Sequence, residues 1–220
     1  MNRPSVCAII PAFNEETTIA QVVRPLVTSE GIDEVVVVSD GSTDETAHLA
    51  RREGATVLEL PRRGGKGEAM HFGVEQTTAQ VLAFFDADLR GLTHEHVERL
   101  LLPVVNGGRW MNVGIRDRGR LWTWVSHHLP LISGERAMRR EVFEGIPAEY
   151  LHGFMVETSL NYYCRTHRLR YGAVDLPGLS IRRKYEKVSW PRAVVQYTRM
   201  FWQVGEAMLV VRLARLLKRF

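Results

Sequence analysis

The chain has 220 residues, 45% of them hydrophobic and 25% charged, which is ordinary for a globular protein and suits one α/β domain with a small appendage. Its net charge of +4 fits an anionic substrate or an anionic membrane surface and is too weak to argue for nucleic acid. Two cysteines without metal-type spacing make a reducing, cytoplasmic compartment the default; Met1-Asn2-Arg3-Pro4 leads straight into a strand, which predicts no signal peptide, and the apolar runs are too short to predict a spanning helix.

Val6 to Ala12 predicts a buried strand. A helix is expected from near Glu15, with Ile19, Val22, Val23, Leu26 and Val27 on one face and Pro25 kinking or shortening it. Val35 to Val38 predicts a β-branched strand ending at Ser39-Asp40-Gly41. The next helix is expected from Ser42 or Thr43, with Asp44 and Glu45 favourable in its first turn. Thr56 to Leu60 predicts a short strand, Glu68 to Gln76 a helix, Val81 to Phe85 the central strand, and Thr93 to about Leu102 a helix. This alternation specifies a parallel, doubly wound sheet, and such sheets bind ligands beyond the carboxyl ends of their strands. Four loops lie there: Pro11 to Glu15, Ser39 to Asp44, Arg62 to Gly67 and Asp86 to Asp88.

The rhythm breaks after about residue 116. Arg116 to Arg120 is a basic loop, and Trp122 and Trp124 follow it. Ser133-Gly134-Glu135-Arg136 precedes a short helix near Glu141; Phe154 to Thr166 predicts a helix and Arg170 to Val174 a strand. The last stretch, Arg212 to Phe220, is amphipathic, with Leu213, Leu216, Leu217 and Phe220 opposite Arg212, Arg215, Lys218 and Arg219. Such a helix can lie on an anionic membrane surface, pack on the domain, or pack on a second subunit of a homodimer.

Asp86-Ala87-Asp88 carries the most chemistry. Two carboxylates at i and i+2 on a strand end can seat a hard divalent cation, which takes one or two protein carboxylates and completes its shell with water and phosphate oxygens. A polar turn closing a strand is the plain alternative. Asp40 in Asp-Gly is likewise a turn signal as well as a pure acceptor. Gly64, Gly65 and Gly67 permit close backbone approach, and Lys66 is a compact phosphate-binding charge.

Taken together, Ile10-Pro11-Ala12-Phe13-Asn14-Glu15, Val38-Ser39-Asp40-Gly41-Ser42-Thr43-Asp44, Arg63-Gly64-Gly65-Lys66-Gly67 and Phe85-Asp86-Ala87-Asp88 resemble the family 2 glycosyltransferases in order and spacing. The resemblance implies the GT-A fold, an α/β architecture with a mostly parallel sheet flanked by helices, here with a C-terminal helical appendage. It implies one domain over 1–220: a nucleotide-sugar-binding half to 115, an acceptor-binding half over 116–190, and the amphipathic helix over 191–220.

The resemblance also implies roles. Pro11, Ala12, Phe13 and Glu15 would line the nucleoside pocket, Asp40 would accept from a pyrimidine imide, and Gly65, Lys66, Asp86 and Ala87 would meet the rest of the donor. Asp88, and less firmly Asp86, would bind Mg²⁺ or Mn²⁺. Glu157 would be the base that deprotonates an acceptor hydroxyl, with Glu135 the alternative; Val156-Glu157-Thr158 stands where many members carry Glu-Asp. Arg116, Arg118, Gly134, Arg136 and Arg183 would face the acceptor, and arginine's planar fork suits a phosphate there. The segment Gly134 to Arg140 resembles that of glucosyl-3-phosphoglycerate synthases and of dolichyl- or polyprenyl-phosphate sugar transferases. The implied activity is metal-dependent sugar transfer with inversion, from a UDP- or GDP-sugar (UDP favoured) to a phosphate-bearing lipid, a small phosphorylated acid or a hydroxyl. A sugar-phosphate nucleotidyltransferase is a second reading, although Pro11 to Glu15 replaces the Gly-rich pyrophosphate loop usual after its first strand. A non-catalytic nucleotide-sugar-binding protein is a third.

Overall fold

A computed structural model describes residues 3–116, 134–147, 150 and 155–181. The expectations for Arg118, Trp122, Trp124, Arg183 and the C-terminal amphipathic helix lie outside these residues.

The expected alternation is present through the first half. Strands β1 (Val6–Ala12), β2 (Glu34–Asp40), β3 (Thr56–Leu60) and β4 (Val81–Phe84) alternate with helices α1 (Ile19–Val27), α2 (Thr46–Arg52) and α3 (Lys66–Glu75). After the two-residue β5 (Leu89–Arg90) come α4 (His94–Val105), β6 (Met111–Arg116), β7 (Arg136–Arg139), α5 (Arg140–Glu144), α6 (Met155–Thr166), β8 (Tyr171–Leu176) and β9 (Ser180–Ile181). The main sheet has seven strands in the order β3-β2-β1-β4-β7-β6-β8, and β5 pairs with β9 in a separate ribbon.

Both faces of the sheet are covered, which is why its strands are continuous apolar runs. Val6, Ala8 and Ile10 point into one core layer with Ile19, Val22 and Leu26 of α1 and Val97 and Leu100 of α4. Cys7 and Ile9 point into the other, with Ala69, Met70 and Val74 of α3 and Val156, Leu160 and Cys164 of α6. The helix α3 lies so close to the sheet that a Cβ on Gly73 would stand 2.7 Å from Ile9 Cγ2.

Two expected helix starts are corrected. The sheet is mostly parallel, as the resemblance implies: β1 pairs in parallel with β2 and β4, while β7 runs antiparallel between β4 and β6. No strand is expected over β7 from the sequence: with arginine at both ends it carries no clear strand pattern, and its partners Ala83 and Asn112 are remote in sequence. Helix α2 begins at Thr46 rather than Ser42 or Thr43, because the Asp44 carboxylate accepts from the Thr46 backbone N–H ahead of the helix. Helix α3 begins at Lys66 rather than Glu68, directly after Gly65 at φ +97°. Pro25 lies inside α1, which ends two residues later. Among the described residues, no helix is long and apolar enough to cross a membrane.

Candidate active site

The carboxyl ends of β1, β2 and β4 meet along one edge of the sheet, and the loops that follow them are held in two different ways. The loops after β1 and β2 are laced through backbone amides. Thr43 N donates to Asn14 Oδ1 at 2.9 Å, Asn14 N to Ser42 Oγ at 3.2 Å, Glu15 N to Thr46 Oγ1 at 2.8 Å and Glu16 N to Asp44 Oδ2 at 3.2 Å. Asn14 sits at φ +53°, a left-handed turn that asparagine tolerates better than most residues. The Thr46 amide and hydroxyl and the Glu16 amide all donate to Asp44. Burial works against the charge on Asp44, and these donors outweigh it, leaving its pKa below the ordinary carboxylate value. This lacing presents Pro11, Ala12, Phe13 and Glu15 at the mouth of the edge. The Arg63 guanidinium stacks on the Phe13 ring, 4.0 Å from its centroid.

Asp40, the last residue of β2, is 4% exposed. Its Oδ1 accepts from Gly64 N at 2.6 Å and its Oδ2 from Gly65 N at 2.8 Å. The glycine loop before α3 is thus tied to the end of β2.

The second arrangement is ionic. Lys66 Nζ donates to Asp86 Oδ1 at 2.8 Å and to Glu157 Oε1 at 3.0 Å. Arg116 approaches Asp86 Oδ2 at 3.4 Å and, through Nε, Glu135 Oε2 at 3.3 Å. Burial disfavours the Lys66 ammonium, but the Asp86 and Glu157 carboxylates prevail and raise its pKa. Burial likewise opposes the charge on Asp86, and Lys66 and Arg116 overcome it, holding the carboxyl well below its usual range. Arg116 is desolvated as well, yet Glu135, Asp86, Asp88 and Glu157 together raise its pKa. A Cβ on Gly134 would stand 2.3 Å from Asp86 Oδ2, so the backbone there lies directly against the carboxylate.

The structure brings six of the expected site residues into direct contact with one another. Lys66, Asp86, Arg116, Gly134, Glu135 and Glu157 form one cluster, and Asp88 follows Asp86 on the turn into β5. Glu135 is 0% exposed and Arg136 1%. Arg136 Nη1 donates to Asn161 Oδ1 of α6 at 2.9 Å, and burial lowers its pKa. Its guanidinium also contacts Met111 Sδ at 3.8 Å and feels the charges of Glu157 and Glu135. Glu157 is buried, and its Oε2 has no hydrogen-bond partner among the described residues. Two contributors had no role in the sequence reading: Arg63, which stacks on Phe13, and Asn161, which holds Arg136. Arg63 stands in the Arg63-Gly64-Gly65-Lys66-Gly67 motif, which signals the loop but not the stacking; Asn161 is paired across 25 residues and leaves no local signature.

The donor chemistry of Asp86 and Asp88 fits a hard divalent cation that takes few protein ligands. Among the described residues, no three His, Cys, Asp or Glu side chains converge as a ready-made metal cage. Two adjacent carboxylates with a lysine beside them suit a cation that arrives with a diphosphate and shares its oxygens.

The family profile of glycosyl transferase family 2 matches residues 7–164, and the chain belongs to that family. Among solved structures, it is similar to glucosyl-3-phosphoglycerate synthase from Mycobacterium tuberculosis in complex with Mn²⁺, uridine diphosphate and glucosyl-3-phosphoglycerate, with a TM-score of 0.78, 26% identity, and coverage of 94% of this chain and 80% of that one. A complex of that enzyme with Mn²⁺, UDP-glucose and phosphoglyceric acid matches with a TM-score of 0.70 and 28% identity over 82% of this chain and 72% of that one. The seven-stranded mixed sheet flanked by helices is accordingly the GT-A fold. A 4,4′-diaponeurosporenoate glycosyltransferase of Staphylococcus aureus (strain bovine RF122 / ET3-1) is 38% identical over 105 residues, which are 46% of this chain and 28% of that protein. The chain thus spans about a quarter of the length of that relative.

Proposed function

We propose that the chain transfers a sugar from a nucleoside diphosphate, with UDP favoured, to a phosphate-bearing or hydroxyl acceptor, using Mg²⁺ or Mn²⁺. The observation that carries this reading is the junction of Lys66 with Asp86 and Glu157, two residues before Asp88, on the ligand-binding edge of the sheet. Pro11, Ala12, Phe13 and Glu15 take the nucleoside, and Lys66 takes the diphosphate. Asp88, with Asp86 beside it, holds the cation, which supplies charge neutralisation for the departing diphosphate. Lys66 is positioned to exchange its carboxylate partners for phosphate oxygens. Once it does so, Glu157 is released to act on an acceptor hydroxyl. Arg116 and Gly134 border the same cluster and serve the acceptor side, with Arg136 setting the electrostatics behind them.

The solved neighbours that bind UDP-glucose with Mn²⁺ and phosphoglyceric acid support UDP, the divalent ion and a small phosphorylated acid. A phosphate-bearing lipid acceptor, peripheral contact of the amphipathic C-terminal sequence with the cytoplasmic membrane face, and a homodimer complete the reading. Single displacement with inversion is the stereochemical expectation, and the anomeric coupling constant of the product decides it. Thermal shift with UDP, GDP and their sugars, with Mg²⁺ or Mn²⁺, tests the donor site. A ligand at 100 times its Kd stabilises by about 2.7 kcal/mol. Stabilisation by a UDP species that needs the metal, and that disappears in Asp88→Ala, is expected. No shift with any of these nucleotides rejects the transferase.

A further inference from the structure

We propose that Arg63 is a movable cover of the nucleobase pocket: parked on Phe13, it leaves that ring to admit a base to Asp40 and then stacks on the base itself. The inference rests on the nucleotide-sugar reading above and adds to it the residue that controls nucleoside entry.

Strand order puts the two residues on either side of β2. Strands β3, β2 and β1 are neighbours in that order, so Phe13, one residue past β1, and Arg63, three residues past β3, flank the end of β2 at Asp40. Both backbones are held in place. Beside Phe13, Asn14 Oδ1 accepts from Thr43 N at 2.9 Å. Beside Arg63, Gly64 N and Gly65 N donate to Asp40 at 2.6 and 2.8 Å. Gly41, at φ +68°, lies so close that a Cβ there would stand 2.7 Å from Arg63 N. From this fixed origin the Arg63 guanidinium reaches across to within 4.0 Å of the Phe13 ring centroid. The stack thus spans the end of β2, and Asp40, between the two loops, is 4% exposed. The two amides use about half of the acceptor sites of this carboxylate, so it keeps capacity for the N–H of a base, but burial withholds that capacity until a cover moves.

Arg63 is the part able to move: its side chain is exposed, and an exposed cation–π contact breaks at little cost. A guanidinium stacks on a nucleobase face as it does on a phenyl ring, so one aromatic face replaces another. Pyrophosphate offers no such face. While Arg63 is parked, only the open fraction of molecules can take up a base, which lowers the association rate. Once the base is in, the guanidinium holds it and slows its departure. Arg63→Ala removes both effects. Association and dissociation of a uridine nucleotide should each rise by about 2- to 30-fold, the range of a cation–π contact, while the Kd stays within about threefold.

Stopped-flow binding of a ribose-labelled fluorescent UDP with Mn²⁺, followed by a chase with excess UDP, reads both rates in wild type, Arg63→Ala and Phe13→Leu. Isothermal titration with inorganic pyrophosphate and Mn²⁺ reads the diphosphate end alone. Arg63→Ala is expected to raise both rates and to leave pyrophosphate affinity within about twofold of wild type. Phe13→Leu, which takes away the ring Arg63 parks on, is expected to raise association as well. Unchanged association in either variant would overturn the proposal. Faster dissociation alone in Arg63→Ala would make the arginine a fixed wall of the pocket, and weakened pyrophosphate binding would make it a phosphate-binding charge; either overturns it too. A wild-type protein that binds neither UDP nor pyrophosphate removes the nucleotide-sugar reading itself, which is a different failure.

Discussion

The two sides of the ligand edge are held by different physics. On the β1–β2 side, short polar side chains satisfy backbone amides: Asn14, Ser42, Asp44 and Thr46 knit two loops with bonds of neutral or singly charged groups. On the β4–β6–β7 side, long charged side chains alternate in sign: Glu157, Lys66, Asp86, Arg116, Glu135. The first arrangement fixes shape and has little to gain from rearranging. The second is a set of desolvated charges whose partners could be exchanged for those of the dianionic ligand and the cation proposed above. Shape recognition therefore belongs to one side and charge redistribution to the other.

The largest expected effect is on the ionic side. Lys66→Met removes the one ammonium shared by Asp86 and Glu157. Transfer should fall by about 10²–10³-fold at saturating donor, the cost usual for losing one preorganised donor to a developing charge. Mn²⁺ binding without nucleotide should move the other way. In the wild type, Lys66 and Arg116 engage the two oxygens of Asp86, and Lys66→Met frees one of them. Electron paramagnetic resonance of free Mn²⁺ reads this directly. Unchanged Mn²⁺ affinity in the variant would mean that Lys66 does not compete with the cation, and the picture of exchangeable partners would fail.

Glu157→Gln is expected next in size, and its effect depends on the acceptor. If Glu157 deprotonates a hydroxyl, kcat should drop by about 10²–10⁴-fold with a hydroxyl acceptor. An acceptor that reacts through a phosphate oxygen already carries the needed charge, and its rate should change only a few-fold. Comparing both acceptor classes with one variant tells whether the buried carboxylate acts as a base or only as the counter-charge of Lys66. An equal loss with both would assign it to the counter-charge role.

On the laced side, Asp44→Ala should act on stability far more than on turnover. It removes the acceptor for the Thr46 and Glu16 amides, and losing a side-chain acceptor for amides at the start of a helix costs roughly 0.5–2 kcal/mol. Urea unfolding should show that loss, while kcat stays within a few-fold of wild type. A variant as stable as wild type but unable to turn over would erase the contrast between the two sides. Acid reaches the ionic side through Asp86, whose pKa is lowered in the fold. Its contribution is therefore complete above the unfolded carboxylate pKa of about 3.9 and is lost as pH falls below that value.

How much of this could be read from the sequence follows the same division. The loops after β1 and β2 are local, and their turn residues announce them. The strands β1, β2 and β4 are buried on both faces and so appear as unbroken apolar runs. Lys66 and Glu157 are 91 residues apart, and no spacing rule joins them; only the fold brings α3 and α6 to the same carboxylate. Strand β7 was hidden for a related reason. Arg136 bonds Asn161 of α6 and Arg139 stacks on Trp110, so both ends of the strand carry long charged side chains, and strand pattern depends on apolar alternation. Asp44 was legible as a helix-start residue but not in its true position, because its carboxylate also binds the amide of Glu16 across the neighbouring loop. Asp40 was legible as an acceptor, while its two amide partners depend on where the glycine loop returns to the sheet.

The smallest expected effect compares the cores beneath the two sides. Cys7 lies on β1 and Cys164 on α6, and both thiols are fully buried. Burial, reinforced by Glu34, pushes Cys7 up to about 12; burial, opposed by Arg136, pushes Cys164 up to about 12 as well. An unfolded thiol ionises near 8.5. Because the folded pKa is the higher one, each thiol's contribution is complete below about 8.5 and declines as pH rises from there toward 12. Each can add a slope of at most about 1.4 kcal/mol per pH unit over that interval. Cys164→Ala and Cys7→Ala should each flatten the alkaline fall in stability measured by urea unfolding between pH 8.5 and 10.5, after subtraction of their constant packing cost. Native protein at pH 8 should leave both thiols unmodified by a thiol-specific reagent, and unfolded protein should expose both. A Cys164 that reacts in the native state would show that the ionic side opens to its core, and would extend the contrast in rigidity from the surface of the site to the layer beneath it.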